Sequence, residues 1–469
     1  MAGIGFKLQK LLSGDDYTSA VKAFGFSTLI TAGPFLLTII LVVFVQTITR
    51  ETLTDRSMAY MQSLITYAFA FSLMTVGPSY LVLTRYTADE FYRGHVTSFT
   101  ASFFSAYSIN LLVWGPLVFW FFSGLTADWS IKLNAFLLFA IAVGMWLSMI
   151  FLSAAQNYWL VSRAFLIGLA VSLPASYFLG RAQGMGGYFA GFVAGQAVVL
   201  LNLIGALIRE FGYWEPRDHN WLGYFRLYPR LAGIGLLYNV GIWVDKFLFW
   251  ASAEGDWLDA RLRYCSIYDT PMFLAYMSIL PALVYFFLLV ETDFFGKYHD
   301  YYVAISRQEG YSVLERRRQS IIGSLRLNLT RVLLVQGLFS GAALLTAPWI
   351  LQAAGLPIIH LSVLRLGIYS AFLQAGTMII MNILLYFDHQ PEALKVTGLF
   401  CLLNALFTEA SIRLGLVAYG YGVGLACLFT LALGLYYLNE RLRLLHYWTF
   451  TRQAFPEPTL SDEGELEPL

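Results

Sequence analysis

Apolar residues run along this chain in blocks of roughly twenty, separated by short stretches in which Lys, Arg, Asp and Glu collect. A helix rises about 1.5 Å per residue and a hydrocarbon layer is about 30 Å thick, so each block is long enough to cross a bilayer. Twelve crossings can be drawn. The first six fall at about 24–46, 59–83, 98–122, 132–153, 158–179 and 187–208; the second six fall at about 231–252, 267–290, 329–351, 361–386, 395–417 and 420–438. The pattern predicts an all-α polytopic membrane protein with 12 transmembrane helices. Two stretches are amphipathic. At the N-terminus, Ile4, Leu8, Leu11 and Leu12 fall on one helical stripe with Lys7 and Lys10 off it, which predicts a surface or packed helix within residues 1–22. In the loop 291–328, Leu314, Ile321, Ile322 and Leu325 form a stripe beside Arg316-Arg317-Arg318, which predicts an amphipathic helix on the membrane face.

The crossings divide evenly. Residues 209–230, polar and aromatic, separate six spans from six and read as a linker between a lobe at 23–208 and a lobe at 231–440. Residues 441–469 form a tail whose end, after Phe455, is acidic and Pro-rich and composed like a disordered segment. Six spans per half give both halves the same orientation and permit a parallel repeat. Sliding the chain so that Lys22 meets Arg230 also brings Ser27, Thr31, Pro34 and Thr38 onto Gly235, Asn239, Ile242 and Lys246, both sets on one helical stripe.

Charge fixes the orientation. With the N-terminus in the cytoplasm, the outer loops hold Arg50, Arg56, Lys132, Arg181, Arg261, Arg263 and Arg365, Lys246 and Arg413 lie within spans, and every other one of the 30 Lys and Arg residues is cytoplasmic. That bias predicts both termini inside. Composition agrees with a membrane protein: 58% of residues are hydrophobic, 13% are charged and the mean hydropathy is +0.63, against about 25% charged in soluble domains. A net charge of +1 provides no basic field for nucleic acid. The three cysteines, Cys265, Cys401 and Cys427, have neither metal spacing nor a disulfide framework. The chain contains no Gly-rich Lys-Ser/Thr phosphate loop, no His-Glu-x-x-His and no Cys-x-x-Cys, so no catalytic residue, metal or cofactor is expected.

Polar residues inside spans are the candidate functional groups. The segment Gly235–Trp250 carries Asn239, Asp245 and Lys246, and Asp245 would sit about 20 Å into the hydrocarbon. Charges at that depth are costly and face protein or water. Tyr238 and Asp245 share one stripe, and Asn239 and Lys246 the next; with Ser27, Thr31 and Thr38 of the first span they form the candidate lining of a translocation cavity. Packing against neighbouring helices is the alternative for each. Asp245 and Lys246, as sequence neighbours, are not expected to face one another. Gly33-Pro34, Gly77-Pro78 and Gly115-Pro116 interrupt the first three spans and read as candidate hinges, kinked or locally unwound. Arg316, Arg317 and Arg318 read as a topological anchor or a docking surface for a cytoplasmic partner.

The opening Ala2-Gly-Ile-Gly-Phe-Lys-Leu-Gln-Lys-Leu-Leu12 with Gly33-Pro34, and the stretch Tyr268-Asp-Thr-Pro-Met-Phe-Leu-Ala-Tyr276 continuing through Pro281 to Glu291-Thr-Asp-Phe-Phe295 and Tyr298, resemble the PelG family of exopolysaccharide transporters. The resemblance runs over nearly the whole chain except the acidic tail. It implies the multidrug/oligosaccharidyl-lipid/polysaccharide exporter superfamily, with two six-helix lobes around a central cavity. It further implies export of a hexosamine-rich, partly deacetylated polysaccharide across the bacterial inner membrane. The implied partners are a cytoplasmic glycosyltransferase and membrane proteins resembling PelD and PelE. An ion-coupled flippase for lipid-linked sugar or drug, and a non-conducting membrane scaffold for the synthase, are the alternative readings.

Overall fold

The computed structural model describes residues 52–154, 158–212, 220–289 and 293–452, together with Leu41, Phe44, Thr47 and Thr49. The N-terminal amphipathic helix, nearly all of the expected first span and the acidic tail lie outside the described residues. So do Ser27, Thr31, Gly33, Pro34 and Thr38.

The first half contributes α1 (Asp55–Tyr92), α2 (Phe99–Ser123), α3 (Trp129–Ala154), α4 (Tyr158–Gln183) and α5 (Met185–Phe211). Thr54 caps α1 by accepting from the Ser57 N–H at 3.3 Å, with Asp55 in the first turn where the helix dipole favours an anion. α3 is the centre of this half, packed by α1, α2 and α5. α4 and α5 form the closest helix pair, because Gly191 and Gly195 of α5 lie against Ser176 and Ser172 of α4 with no room for a Cβ. Without a hydrophobic drive between helices in lipid, such small-residue seams let dispersion hold them together.

A 3₁₀ turn (Asn220–Leu222) and α6 (Gly223–Leu227) lead into the second half. Its elements are α7 (Pro229–Gly241), α8 (Val244–Ala251), β1 (Asp256–Trp257), β2 (Arg263–Tyr264), α9 (Ser266–Tyr276), α10 (Leu280–Leu289), α11 (Phe295–Ser306), α12 (Tyr311–Ala354), α13 (Leu361–Tyr386), α14 (Gln390–Leu414), α15 (Tyr421–Arg443) and α16 (Leu445–Arg452). α13, α14 and α15 pack on one another, α7 and α8 lie on α14, α9 lies on α13, and α12 flanks α13. The halves meet where α1 crosses α7. This is an all-α, polytopic membrane fold in two lobes.

Among the described residues ten helices are long and apolar enough to cross a membrane, and the pair α7 and α8, bent by 43°, makes an eleventh. These coincide with eleven of the twelve expected crossings. Three details differ from the sequence expectation. The stripe Leu314, Ile321 and Leu325 is buried, but it belongs to no separate surface helix: it is the first third of α12, which runs unbroken for 44 residues. At about 1.5 Å per residue that helix is roughly twice as long as the hydrocarbon is thick, so its Arg-rich start projects beyond the bilayer. An antiparallel hairpin, with Asp256 opposite Tyr264 and Trp257 opposite Arg263, occupies the loop between α8 and α9. Finally, α1 and α2 remain helical through Pro78 and Pro116.

Candidate functional site

The break between α7 and α8 organises the polar interior of the second lobe. It contains no proline. A broken helix leaves carbonyls without intrahelical donors, and in lipid they need partners. The Asn404 side chain of α14 donates to the Gly241 carbonyl at 2.8 Å, and Lys246 Nζ reaches back to donate to the Ile242 carbonyl at 3.1 Å. The residues that hold the break are therefore polar ones inside spans.

Lys246 Nζ also donates to both carboxylate oxygens of Asp245, at 3.0 and 2.9 Å. Adjacent residues on a continuous helix diverge. Here Lys246 doubles back towards the break, and the pair closes. Asp245 is fully buried in the first turn of α8, and the Tyr268 hydroxyl donates to it at 2.7 Å. Tyr268 in turn stacks on Phe249, ring centroids 3.8 Å apart. The ammonium also faces the rings of Tyr276 and Trp243, at 5.1 and 5.8 Å. A second carboxylate, Asp269 at the start of α9, accepts from Trp250 Nε1 at 2.8 Å and the Cys265 N–H at 2.9 Å. The cluster thus sets two carboxylates against one ammonium.

On α7, Tyr238 borders a void of about 10 Å³ together with Gln374, Thr377 and Thr397, and among the described residues Gln374 Oε1 has no hydrogen-bond partner. Asn239 directs its amide to the Gly235 carbonyl at 2.8 Å. Gly235 sits where α7 crosses α1. A Cβ on Gly77 would come within 2.8 Å of the Gly235 carbonyl oxygen and 3.1 Å of Asn239 Nδ2, so the two backbones touch. Gly77, expected as a hinge, marks the contact between lobes. Gly115 by contrast has only ordinary contact, with Phe136.

The hairpin end of the same seam is latched by Asp259 in the hairpin loop. Tyr60 of α1 donates its hydroxyl to Asp259 Oδ2 at 2.6 Å. The Thr126 backbone N–H, between α2 and α3, donates at 2.9 Å and its hydroxyl at 2.8 Å, and the Ala260 N–H donates at 2.6 Å. Burial alone would raise the carboxyl pKa, but these donors favour the anion and bring it below the ordinary value. Beside it Tyr67 stacks on Trp250 at 4.4 Å and donates to the Arg263 carbonyl at 3.0 Å, while Arg261 lies over Trp120 at 4.0 Å and donates to its carbonyl. At the opposite end Tyr86 meets Tyr224 edge-on at 5.4 Å and Arg85 lies over Tyr228 at 5.2 Å. The seam is closed at both ends along α1.

The arginine triplet divides its roles. Arg318 is pinned to Glu315 at 2.7 Å and donates to the Leu442 and Arg443 carbonyls at the end of α15. Arg317 pairs with Asp300 of α11 at 3.1 Å. Arg316 is exposed.

The PelG family model, described as "Putative exopolysaccharide Exporter (EPS-E)", matches residues 1–450. The chain belongs to the PelG family. Its architecture is similar to that of multidrug resistance MATE family transporters of the MOP superfamily. For the outward-facing conformation of one such transporter the TM-score is 0.58 at 12% identity, covering 93% of this chain and 98% of the other. The inward-facing conformation gives 0.59 at 11% identity, covering 90% and 99%. A MOP superfamily transporter from Pyrococcus furiosus, its binding pocket described as reversed in polarity, gives 0.56 at 13% identity, covering 93% and 98%. At such identities the likeness shows the fold. No curated protein sequence matches the chain.

Within this PelG-family fold, Tyr268, Asn404, Asp259 and Tyr60 are the residues that candidate selection from sequence passed over. Tyr268 and Asn404 had a usable signal, being polar at an apolar span's start or middle. Asp259 and Tyr60 had none, since their pairing joins positions far apart in the chain.

Proposed function

We propose that this chain carries a hexosamine-rich exopolysaccharide, made by a separate cytoplasmic glycosyltransferase, across the bacterial inner membrane. Both termini lie in the cytoplasm, and membrane partners resembling PelD and PelE complete the machinery. The observation that carries the reading is the family match across residues 1–450. The two-lobed fold supports it, because an extended polymer needs a path between rigid bodies that can part. The path runs along the seam between α1 and α7. In this conformation it is shut by the Gly77–Gly235 contact and the Asp259 latch. Cargo passage requires the latch to release and the crossing helices to separate.

Tyr238, Asn239, Asp245 and Lys246, with Ser27, Thr31 and Thr38 of the first span, line the path when it opens. The Asp245–Lys246 pair and Asp269 give this region hydrogen-bonding groups that suit a polymer bearing free amines. Arg316 faces the cytoplasm and contributes to partner docking. The test is reconstitution. Vesicles carrying the synthase with this protein should accumulate polymer in the lumen, and vesicles carrying the synthase alone should not. Polymer crossing at equal rates in both preparations would remove the transport role. It would leave a scaffold.

A further inference from the structure

We infer that a crevice between α4 and α5, on the lipid-facing side of the first lobe, binds the phosphate headgroup of an anionic phospholipid. The crevice has a volume of about 210 Å³ and is lined by Leu160, Arg163, Ala164, Asn202, Gly205 and Arg209, among others. Its shape follows from the glycine seam. Where Gly191 and Gly195 meet Ser176 and Ser172 the helices touch, and Gly168 still lies against Val199. Nearly two turns further the small residue is Gly205, where an added Cβ would meet nothing within 4 Å. The helices part there and leave a cleft.

Both arginines stand on that cleft. Neither guanidinium has an ion pair or hydrogen bond among the described residues, although elsewhere Arg318 and Arg441 are tied to carboxylates. The antiparallel register puts Arg163 opposite residues near 204, so Arg209 lies about 7 Å further along the axis. Two cations at that spacing on one cleft, which Asn202 also lines, match one phosphodiester. The Asn202 amide nitrogen is held by the Val198 carbonyl at 2.8 Å, which leaves its oxygen for a glycerol hydroxyl.

The surroundings specify a lipid. Leu201 is 67% exposed and Trp159 50% exposed on the same pair of helices, an apolar rim that faces acyl chains. Among the described residues α4 packs on α5 and only lightly elsewhere, so this flank is on the outside of the described lobe and not at the seam between lobes. The Lys/Arg bias assigns this end of the bundle to the cytoplasm, where anionic headgroups meet basic pockets between helices. The site is separate from the transport path and does not depend on the cargo assignment.

The test is native mass spectrometry on the detergent-purified full chain, titrated with phosphatidylglycerol or phosphatidylcholine of equal acyl length. The wild type should retain phosphatidylglycerol and discriminate against phosphatidylcholine. R163Q/R209Q should retain about tenfold less phosphatidylglycerol. G205L keeps both arginines but fills the cleft, and should lose the lipid as well. R326Q/R331Q, which neutralises two exposed arginines elsewhere, should bind like the wild type. Gel-filtration profiles confirm that each variant is folded. Equal retention by R163Q/R209Q, or equal loss by R326Q/R331Q, would overturn the site. Glycerol 3-phosphate competing as well as the whole lipid would overturn the lipid assignment in favour of a soluble phosphate.

Discussion

Replacing Lys246 with Met tests whether the polar core is a structural necessity of the broken helix. The side chain of Asp245 is 1% exposed and that of Lys246 15%, and their contact is 2.9 Å. The substitution keeps the volume but leaves a buried carboxylate with only the Tyr268 hydroxyl, and it frees the Ile242 carbonyl. Removing one partner of a buried pair costs about 3–5 kcal/mol, because the remaining charge is uncompensated. Replacing both charges, as D245N/K246M, leaves an amide that still accepts from Tyr268 and an apolar neighbour. Such exchanges are often neutral, so the double variant should fall within about 1 kcal/mol of the wild type. The coupling energy between the two positions should therefore be at least about 2 kcal/mol and favourable. The measurement is a double-mutant cycle of unfolding free energies in mixed detergent, with secreted polysaccharide assayed on the same four proteins. K246M as stable as the wild type, or D245N/K246M as unstable as K246M, would refute the reasoning. A stable double variant that no longer exports would place the pair on the cargo path.

Other expectations follow from the seam and the arginine triplet. Tyr60→Phe removes a 2.6 Å bond to a carboxylate, worth about 1.5–3 kcal/mol, and should raise the labelling rate of a cysteine placed at the hairpin end of the seam without changing the melting temperature of the first lobe. Because the Asp259 pKa is depressed, the latch is at full strength above the ordinary carboxylate value of about 3.9 and weakens only as pH falls through the lower folded value. That labelling rate should therefore be flat from pH 5 to 8; a steep change within that window would show that another group controls the latch. Gly235→Ala drives a methyl into the Gly77 carbonyl and should cost about 1–3 kcal/mol or force the lobes apart, visible as a longer spin-label distance across α1 and α7. Arg318→Gln should loosen the join between α12 and α15 and increase proteolysis near Arg443, whereas Arg316→Gln should leave proteolysis unchanged and reduce co-purification of the cytoplasmic partner.

Much of the architecture was legible because the solvent is lipid. A helix that must satisfy its own backbone and span about 30 Å announces itself by length and hydropathy, so eleven crossings appear where the apolar blocks predict them. The family resemblance was legible as well, from Gly-Ile-Gly-Phe at the start and Glu-Thr-Asp-Phe-Phe around residue 293. Gly-Pro pairs suggested interruptions in α1 and α2, which stay helical through Pro78 and Pro116, whereas the break between α7 and α8 has no proline at it. Proline removes one donor, and a helix can continue past it. A break with several free carbonyls survives in lipid only if polar side chains supply donors, as Asn404 and Lys246 do.

By itself, then, the sequence determined that this chain crosses the membrane repeatedly and that Asp245 and Lys246 lie within a crossing. These follow from local composition and the cost of charge in hydrocarbon. Which residue answers each charge is a question of distance between segments remote in the chain, and only the tertiary structure decides it. It pairs Asp245 with its own neighbour and with Tyr268, seats Gly77 on Gly235, and closes the hairpin end of the seam on Asp259. No local pattern encodes those contacts, because each depends on how two helices cross.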